Sequence, residues 1–136
     1  MPDVILAKLQ TIERCLARIE EEYAGDKTTF LQNFTKQDSV ILNLERASQA
    51  TIDIAAHIVK TEKFGIPATS RELFQMLEEA EIITPDTAKQ MQNMVGFRNI
   101  AVHDYQNLNI DILIAIIEHH LNDFIHFNRE ILTYLS

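Results

Sequence analysis

Apolar residues recur every three or four positions along most of the chain, which is the spacing of a buried helical face. In the first segment, residues 3–24, this stripe consists of Ile5, Leu9, Ile12, Leu16, Ile19 and Tyr23. A longer stripe follows in residues 36–63, with Ile41, Leu44, Ala47, Ile52, Ala55 and Val59 facing inward. The pattern leaves open whether residues 28–34 continue into this second helix. Two long amphipathic helices are therefore predicted for the first half.

Turn and capping residues divide the second half of the chain. Gly65-Ile66-Pro67 ends the second helix, and a short helix with Leu73, Phe74 and Leu77 inward fits residues 70–80. Thr84 followed by Pro85 predicts a helix start, because a hydroxyl caps well and proline fits the first helical position. This fourth helix should end near Asn99. We expect residues 102–109 to form a polar turn.

The last predicted helix runs from residue 110 to near the C-terminus. Its inward stripe consists of Leu113, Ile117, Leu121, Phe124 and Leu132. Further isoleucines lie outside this stripe, at Ile110, Ile112, Ile114, Ile116 and Ile125. The helix should therefore be covered by more than one neighbour, and a second subunit is one candidate.

These elements predict an all-α fold, an antiparallel bundle of four longer helices and one short helix. No polar–apolar alternation of the kind found in strands is bounded by turn residues. A length of 136 residues fits one domain, residues 1–136, with a core of its own.

Composition and the length of apolar runs indicate the cellular compartment of the protein. The lone cysteine, Cys15, excludes an internal disulfide and fits the reducing cytoplasm. No signal region opens the chain, and no apolar run approaches the roughly 20 residues of a membrane span. We expect a cytoplasmic protein that does not contact membranes.

The net charge of −8 is unfavourable for nucleic-acid binding, which needs a basic face. The acid is unevenly spread: residues 67–136 hold ten acidic and four basic side chains, whereas residues 35–66 hold four of each. A polyanion should therefore approach the middle segment and Arg98. A basic protein partner is the alternative ligand of the acidic faces.

Residues 98–105 gather an arginine, an amide, a histidine, a carboxylate and a phenol. Arginine holds phosphate through paired hydrogen bonds, and histidine moves protons near neutral pH. RNA carries its own nucleophile, the 2′-hydroxyl, so Arg98 and His103 could suffice for cleavage without a metal or cofactor. Asn99 could donate to a phosphate oxygen, and Tyr105 could donate or stack on a base.

Helix geometry restricts this site. On one straight helix, Arg98 and His103 lie roughly 140° apart. They converge only if the helix ends between them or if a second chain completes the site. Gly96, inside the helix, suggests that another helix or a ligand comes close.

A purely structural interpretation stands beside the catalytic one. In it, Arg98 pairs with Asp104 or a neighbouring glutamate, and Tyr105 closes the core at a helix corner. The spacing alone is loose and occurs in many helical proteins.

At these residues the chain resembles the HEPN superfamily, whose hallmark is arginine, four to six residues, then His-x-Tyr. Arg98, His103 and Tyr105 fit it, and Asn99 is the usual polar residue after the arginine. More narrowly, residues 94–105 are similar to the HepT toxin family. Residues 43–45 and 52–58 agree with it too, as does Pro67 leading to residues 71–74. The resemblance covers essentially the whole chain.

The resemblance implies a dimeric helical bundle in which two Arg–His motifs face each other across a cleft. It also implies a metal-independent RNase that serves as the toxin of a type VII toxin–antitoxin pair. Its implied partner is an MntA-type minimal nucleotidyltransferase, which silences such toxins by transferring AMP to the motif tyrosine, here Tyr105. The alternative is a non-catalytic module that binds a nucleotide or RNA and docks the nucleotidyltransferase.

Other polar residues are weaker candidates. Asp53, His57 and Arg46 share the second long helix and could line the cleft, although hydrogen bonding in the core or a surface ion pair explains them as well. His119 and His120 resemble metal ligands, but adjacent helical residues point about 100° apart, which disfavours a shared metal. Cys15 is expected in the core.

Overall fold

Seven α-helices and one 3-10 turn make up residues 2–136, the part of the chain that the computed structural model describes. The helices are α1 (Pro2–Tyr23), α2 (Lys27–Leu31), α3 (Phe34–Thr61), α4 (Ser70–Glu79), α5 (Pro85–His103), α6 (Ile110–His119) and α7 (Leu121–Leu135). The 3-10 turn, Tyr105–Asn107, joins α5 to α6. No strand occurs in these residues, which confirms the predicted all-α fold.

The two long helices α1 and α3 pack along each other, and α5 lies against α3, α4 and α7. The stripes predicted for α1 and α3 are buried, with Ile12, Ile19 and Leu44 fully enclosed. Aromatic ring contacts join α1 to α2 and α4 to α7. Phe74 of α4 meets Phe127 of α7 edge-to-face, with ring centroids 6.0 Å apart. Helix α5, which carries residues 98–103, is thus held on three sides.

Side chains cap the N-termini of five helices, as expected for Asp, Asn and Thr at these positions. The caps of α2 to α6 are Asp26, Asn33, Thr69, Thr84 and Asn109. The predicted start at Thr84 and Pro85 is confirmed. Residues 28–34 do not continue into the second long helix, because α2 ends at Leu31 and Asn33 caps the start of α3.

Helix α5 is longer than predicted. It continues past Asn99 to His103 and ends where Asp104 leaves helical backbone angles. Ala101 is buried, so the additional turn still packs against the fold. The predicted polar turn consequently begins only after His103, and its first part is a 3-10 turn.

The prediction of one continuous C-terminal helix is wrong. The backbone leaves the helical region at His120, which separates α6 from α7. The break allows two apolar stripes to face the core, one around Leu113 and one around Phe124. Leu132 is 46 % exposed, contrary to its predicted burial, whereas Ile114 and Ile116 are buried within the single chain.

None of the helices in residues 2–136 combines the length and the apolar character that crossing a membrane requires.

Candidate functional site

The motif residues lie at the C-terminal end of α5 and in the turn that follows. Arg98 is half-buried, and Asn99 and His103 are exposed. Tyr105 begins the 3-10 turn and is 47 % exposed, so its predicted structural role of closing the core is wrong. All four side chains therefore belong to one short stretch of surface at the α5–α6 connection.

The guanidinium of Arg98 has unused donors. Its Nη1 donates to Oδ1 of Asn99 over 3.2 Å, and its buried Nε has no hydrogen-bond partner in the structure. The ion pairs among the described residues are Lys8–Asp53, Arg18–Glu21 and His120–Asp123. The predicted pairing of Arg98 with Asp104 or a neighbouring glutamate is therefore wrong. A buried donor without a partner costs free energy and marks a place where an external acceptor would bind favourably.

Arg98 and His103 lie on the same uninterrupted helix. Five helical residues separate their directions by roughly 140° and their positions along the axis by roughly 7.5 Å. Because α5 does not end between them, one of the two routes to convergence is closed. A second copy of the chain is the route that remains.

The phenol of Tyr105 is tied to α3. Its hydroxyl donates a hydrogen bond to Oδ1 of Asp38. This contact, together with partial burial, raises the pKa of Tyr105 from 10.0 to about 12. No motif in the sequence marks Asp38 as a partner of Tyr105, because the two residues lie 67 positions apart.

Two grooves flank this segment. The first, of about 600 Å³, lies between α5 and α6 and is lined by Met94, Phe97 and Ile100 on one side and Ile112 and Ile116 on the other. The second, of about 370 Å³, lies between the start of α3 and the α5–α6 connection. Asp38 and Tyr105 both line this second groove.

Gly96 permits a close approach, as predicted from its place inside the helix. A Cβ added at this position would lie 2.7 Å from Nη2 of Arg71, which belongs to α4. Nε of Arg71 donates to the carbonyl of Gln92 over 3.3 Å, and Nε2 of Gln92 donates back to the carbonyl of Arg71 over 3.0 Å. This reciprocal contact fixes α4 against the helix that carries the motif.

Asp53 takes part in a contact between α1 and α3. One of its carboxylate oxygens accepts from Nζ of Lys8 over 3.0 Å, and the other accepts from Nε2 of Gln49 over 2.8 Å. His57 is half-buried one turn further along α3, and Arg46 is exposed. These contacts agree with the structural interpretation of Asp53, and a cleft-lining role for the three residues stays a prediction.

Cys15 is buried in the core, as predicted. Burial raises the pKa of its thiol, although the nearby charges of Arg46 and Arg14 act in the opposite direction. The thiol is therefore a packing group.

His119 and His120 line the larger groove without forming a metal site. Nδ1 of His120 lies 3.0 Å from Oδ2 of Asp123, at the break between α6 and α7. No group of three or more His, Cys, Asp or Glu side chains in residues 2–136 is placed to hold a metal ion. The contact between His120 and Asp123 therefore lies at the boundary between two helices.

Comparison with known proteins identifies the family. The model of the family described as "Ribonuclease HepT-like" matches residues 12–131. The "mRNA nuclease HepT" of Shewanella oneidensis is 50 % identical over 127 residues, covering 93 % of this chain and 95 % of that protein. The "tRNA nuclease HepT" of Aphanizomenon flos-aquae is 31 % identical over 134 residues, covering 98 % of this chain and 91 % of that protein.

A solved structure agrees with the sequence relatives. The tri-AMPylated HEPN toxin of Shewanella oneidensis, in complex with MNT antitoxin, superposes with a TM-score of 0.92 at 49 % identity. The alignment covers 98 % of this chain and 99 % of that one. The family model spans the hallmark residues Arg98, His103 and Tyr105, and the fold is shared over almost the full length. The chain belongs to the ribonuclease HepT-like family.

Proposed function

We propose that the chain is a metal-independent endoribonuclease, the toxin of a type VII pair, and that it acts on RNA in the cytoplasm. The observation that carries this proposal is the buried Nε of Arg98, which has no hydrogen-bond partner in the structure and belongs to the same helix as the exposed imidazole of His103. The two nucleases named HepT among its relatives support the same activity.

The proposed chemistry needs a phosphate holder and a group that moves protons. Arg98 binds the scissile phosphate and stabilises the charge that grows on its oxygens as the RNA 2′-hydroxyl attacks. As the 2′-oxygen bonds to the phosphorus, the bond from the phosphorus to the 5′-oxygen of the next nucleotide breaks. His103 takes the proton of the 2′-hydroxyl or gives a proton to the departing 5′-oxygen. Asn99, whose Oδ1 orients the guanidinium, has an amide nitrogen that can donate to another phosphate oxygen.

A homodimer would complete this site. Arg98 and His103 of one chain point in different directions, so an RNA phosphate between them requires a contribution from each of two copies. The surface around the motif suits such an interface, because Ile100, Val102 and Ile112 are exposed by 43 %, 40 % and 54 %. Ile100 and Ile112 line the groove between α5 and α6, and exposed apolar residues of this kind are typical of a surface that another protein covers.

Modification of Tyr105 would switch the site off. An MntA-type nucleotidyltransferase is the proposed antitoxin, and the AMP it transfers adds negative charge and bulk two residues from His103. The tri-AMPylated toxin in complex with MNT antitoxin, 49 % identical to this chain, supports both the partner and the reaction.

The acidic surface favours one other function. A net charge of −8 disfavours tight RNA binding, because phosphate contacts supply most of the affinity for nucleic acids. A non-catalytic module that binds a nucleotide and docks the nucleotidyltransferase would not need such affinity. Cleavage by the purified chain separates the two functions.

The test measures RNA cleavage in EDTA by the unmodified protein and by His103→Ala at equal concentration. Mass spectrometry first confirms that Tyr105 is free. We expect the variant to cut roughly 100-fold to 10,000-fold more slowly, the usual loss when an acid–base group is removed. Equal rates would reveal a contaminating nuclease, and no cleavage by the parent protein would favour the binding module.

A further inference from the structure

The hydroxyl that would receive AMP already has a proton acceptor within the chain. Tyr105 donates its phenolic hydrogen to Oδ1 of Asp38, which lies in the second turn of α3. Among the side chains that line this groove, Asp38 is the one carboxylate. The phenol is thus oriented by an element that does not belong to the motif.

We propose that Asp38 is the catalytic base for modification of Tyr105, taking the phenolic proton as the oxygen attacks the nucleotide. This inference rests on the proposed transfer of AMP to Tyr105. It assigns part of the chemistry to the toxin itself, whereas the antitoxin supplies the bound nucleotide.

The step balances with ATP as the co-reactant. A lone pair on Oη of Tyr105 forms a bond to the α-phosphorus of ATP, and the bond from that phosphorus to the bridging oxygen breaks. Pyrophosphate leaves with the electron pair of the broken bond. The phenolic proton passes to the carboxylate of Asp38, which is exposed and returns it to water.

A base is needed because the phenol is held neutral. With a pKa of about 12, Tyr105 is almost wholly protonated at neutral pH, so its proton must leave during the attack. The charge of the Asp38 carboxylate also changes favourably during the reaction. Its repulsion of the incoming phosphate falls as it takes up the proton, so the interaction improves from the ground state to the transition state.

The surroundings leave room for a nucleotide. Tyr105 is 47 % exposed, and Phe34 on the opposite wall of the groove is 78 % exposed. Along the chain, His103 and Asp104 are the ionisable residues next to Tyr105. Oδ1 of Asp104 is engaged by Nδ2 of Asn107 at 2.8 Å, which leaves Asp38 as the acceptor for the phenol.

The test follows transfer of α-³²P-labelled AMP from ATP, catalysed by the MNT antitoxin of Shewanella oneidensis. Its substrates are the parent chain, Asp38→Asn, Tyr105→Phe and Glu62→Gln. Asparagine keeps an oxygen that can accept from the phenol but cannot take its proton. Glu62→Gln is the matched control, because Glu62 accepts a hydrogen bond from Tyr134 over 2.9 Å in an equivalent pair.

We expect Asp38→Asn to slow labelling at least roughly 100-fold, while Glu62→Gln labels at the parent rate. The rate of Asp38→Asn should also climb with pH from 7 to 9, because phenolate then has to form without a base. A merely structural role for Asp38 would not produce that pH profile. Circular dichroism confirms that each variant is folded.

Each remaining outcome has a separate meaning. Equal labelling of the parent chain and Asp38→Asn, with the same pH profile, would overturn the role of Asp38 and leave the proposed function standing. No label on Tyr105 of the parent chain would overturn the proposed modification, and this inference with it. Label that persists in Tyr105→Phe would have the same consequence, since the acceptor would lie elsewhere.

Discussion

Every tyrosine of the chain donates its hydroxyl to a carboxylate on another part of the fold. Tyr23 donates to Glu118, Tyr105 to Asp38 and Tyr134 to Glu62. Burial is the largest cause that favours the neutral phenol of Tyr23 and Tyr134, and their carboxylate partners act in the same direction. For Tyr105 the hydrogen bond to Asp38 is the larger cause and burial the smaller. The pKa of all three phenols is therefore raised.

This arrangement predicts a pH dependence at the alkaline end. Because the folded pKa of Tyr105 lies above the unfolded value of 10.0, its contribution to stability is fully present below pH 10.0 and is lost as pH rises through about 12. In Asp38→Asn the phenol should ionise closer to 10.0. An ultraviolet titration of phenolate absorbance, with Tyr105→Phe used to assign the signal, measures the shift. An unchanged titration would show that Asp38 does not act on this phenol.

At the scale of helices, capping and turn residues in the sequence predicted most helix boundaries. Packing between residues distant in sequence determined the others. Thr84 with Pro85 marks the start of α5 by its own chemistry, so the sequence alone was sufficient. The break at His120 has no glycine or proline to mark it and depends on how two apolar stripes meet the core. The same distinction holds at the site: the motif revealed Arg98 and His103, whereas Asp38 is brought to Tyr105 only by folding.

Helix α7 stabilises the beginning of α5 through Glu130. One oxygen of this carboxylate accepts from the backbone N–H of Thr84 over 2.6 Å, and the other accepts from the hydroxyl of Thr87. The negative charge also lies at the positive end of the helix dipole. The contact therefore joins two helices that are distant in sequence.

Removing this contact should lower the free energy of unfolding. We expect Glu130→Ala to lower the free energy of unfolding by about 2 kcal/mol, which is typical of the loss of a hydrogen bond to a charged group. Glu79→Ala removes an exposed carboxylate of α4 and should change stability by less than about 0.5 kcal/mol. Urea denaturation at one fixed protein concentration compares them. A loss no larger than that of the control would mean that the contact adds nothing to stability.

At the scale of the molecule, each active site of the proposed dimer depends on residues from two chains. If Arg98 comes from one copy and His103 from the other, a mixture of Arg98→Ala and His103→Ala contains heterodimers. Each heterodimer has one intact active site and one that lacks both groups. Random pairing should then restore about a quarter of the parent cleavage, from two proteins that are inactive alone. A fluorescent RNA substrate and remixing after dissociation provide the measurement. No recovery would show that both groups act from one chain.

A pair of surface variants tests whether the apolar groove is the interface. Ile112→Glu, placed in both partners of the mixture, should abolish the recovery, because Ile112 lines the groove between α5 and α6. Ile66→Glu makes the same change at a residue that is 95 % exposed and outside that groove, and it should leave the recovery intact. Equal effects of the two variants would place the interface elsewhere.

The contact between Tyr105 and Asp38 also bears on how long the proposed silencing by AMP would last. A phenol esterified with AMP has no hydrogen to donate, and its phosphate carries a negative charge toward the carboxylate that formerly attracted it. Attraction between these two side chains would become repulsion, so the turn at residues 105–107 would lose this hydrogen bond to α3. An inhibitor that binds reversibly stops acting when it dissociates, whereas the proposed covalent change would persist after the antitoxin has left. The inactive state would then be a property that each toxin molecule retains on its own.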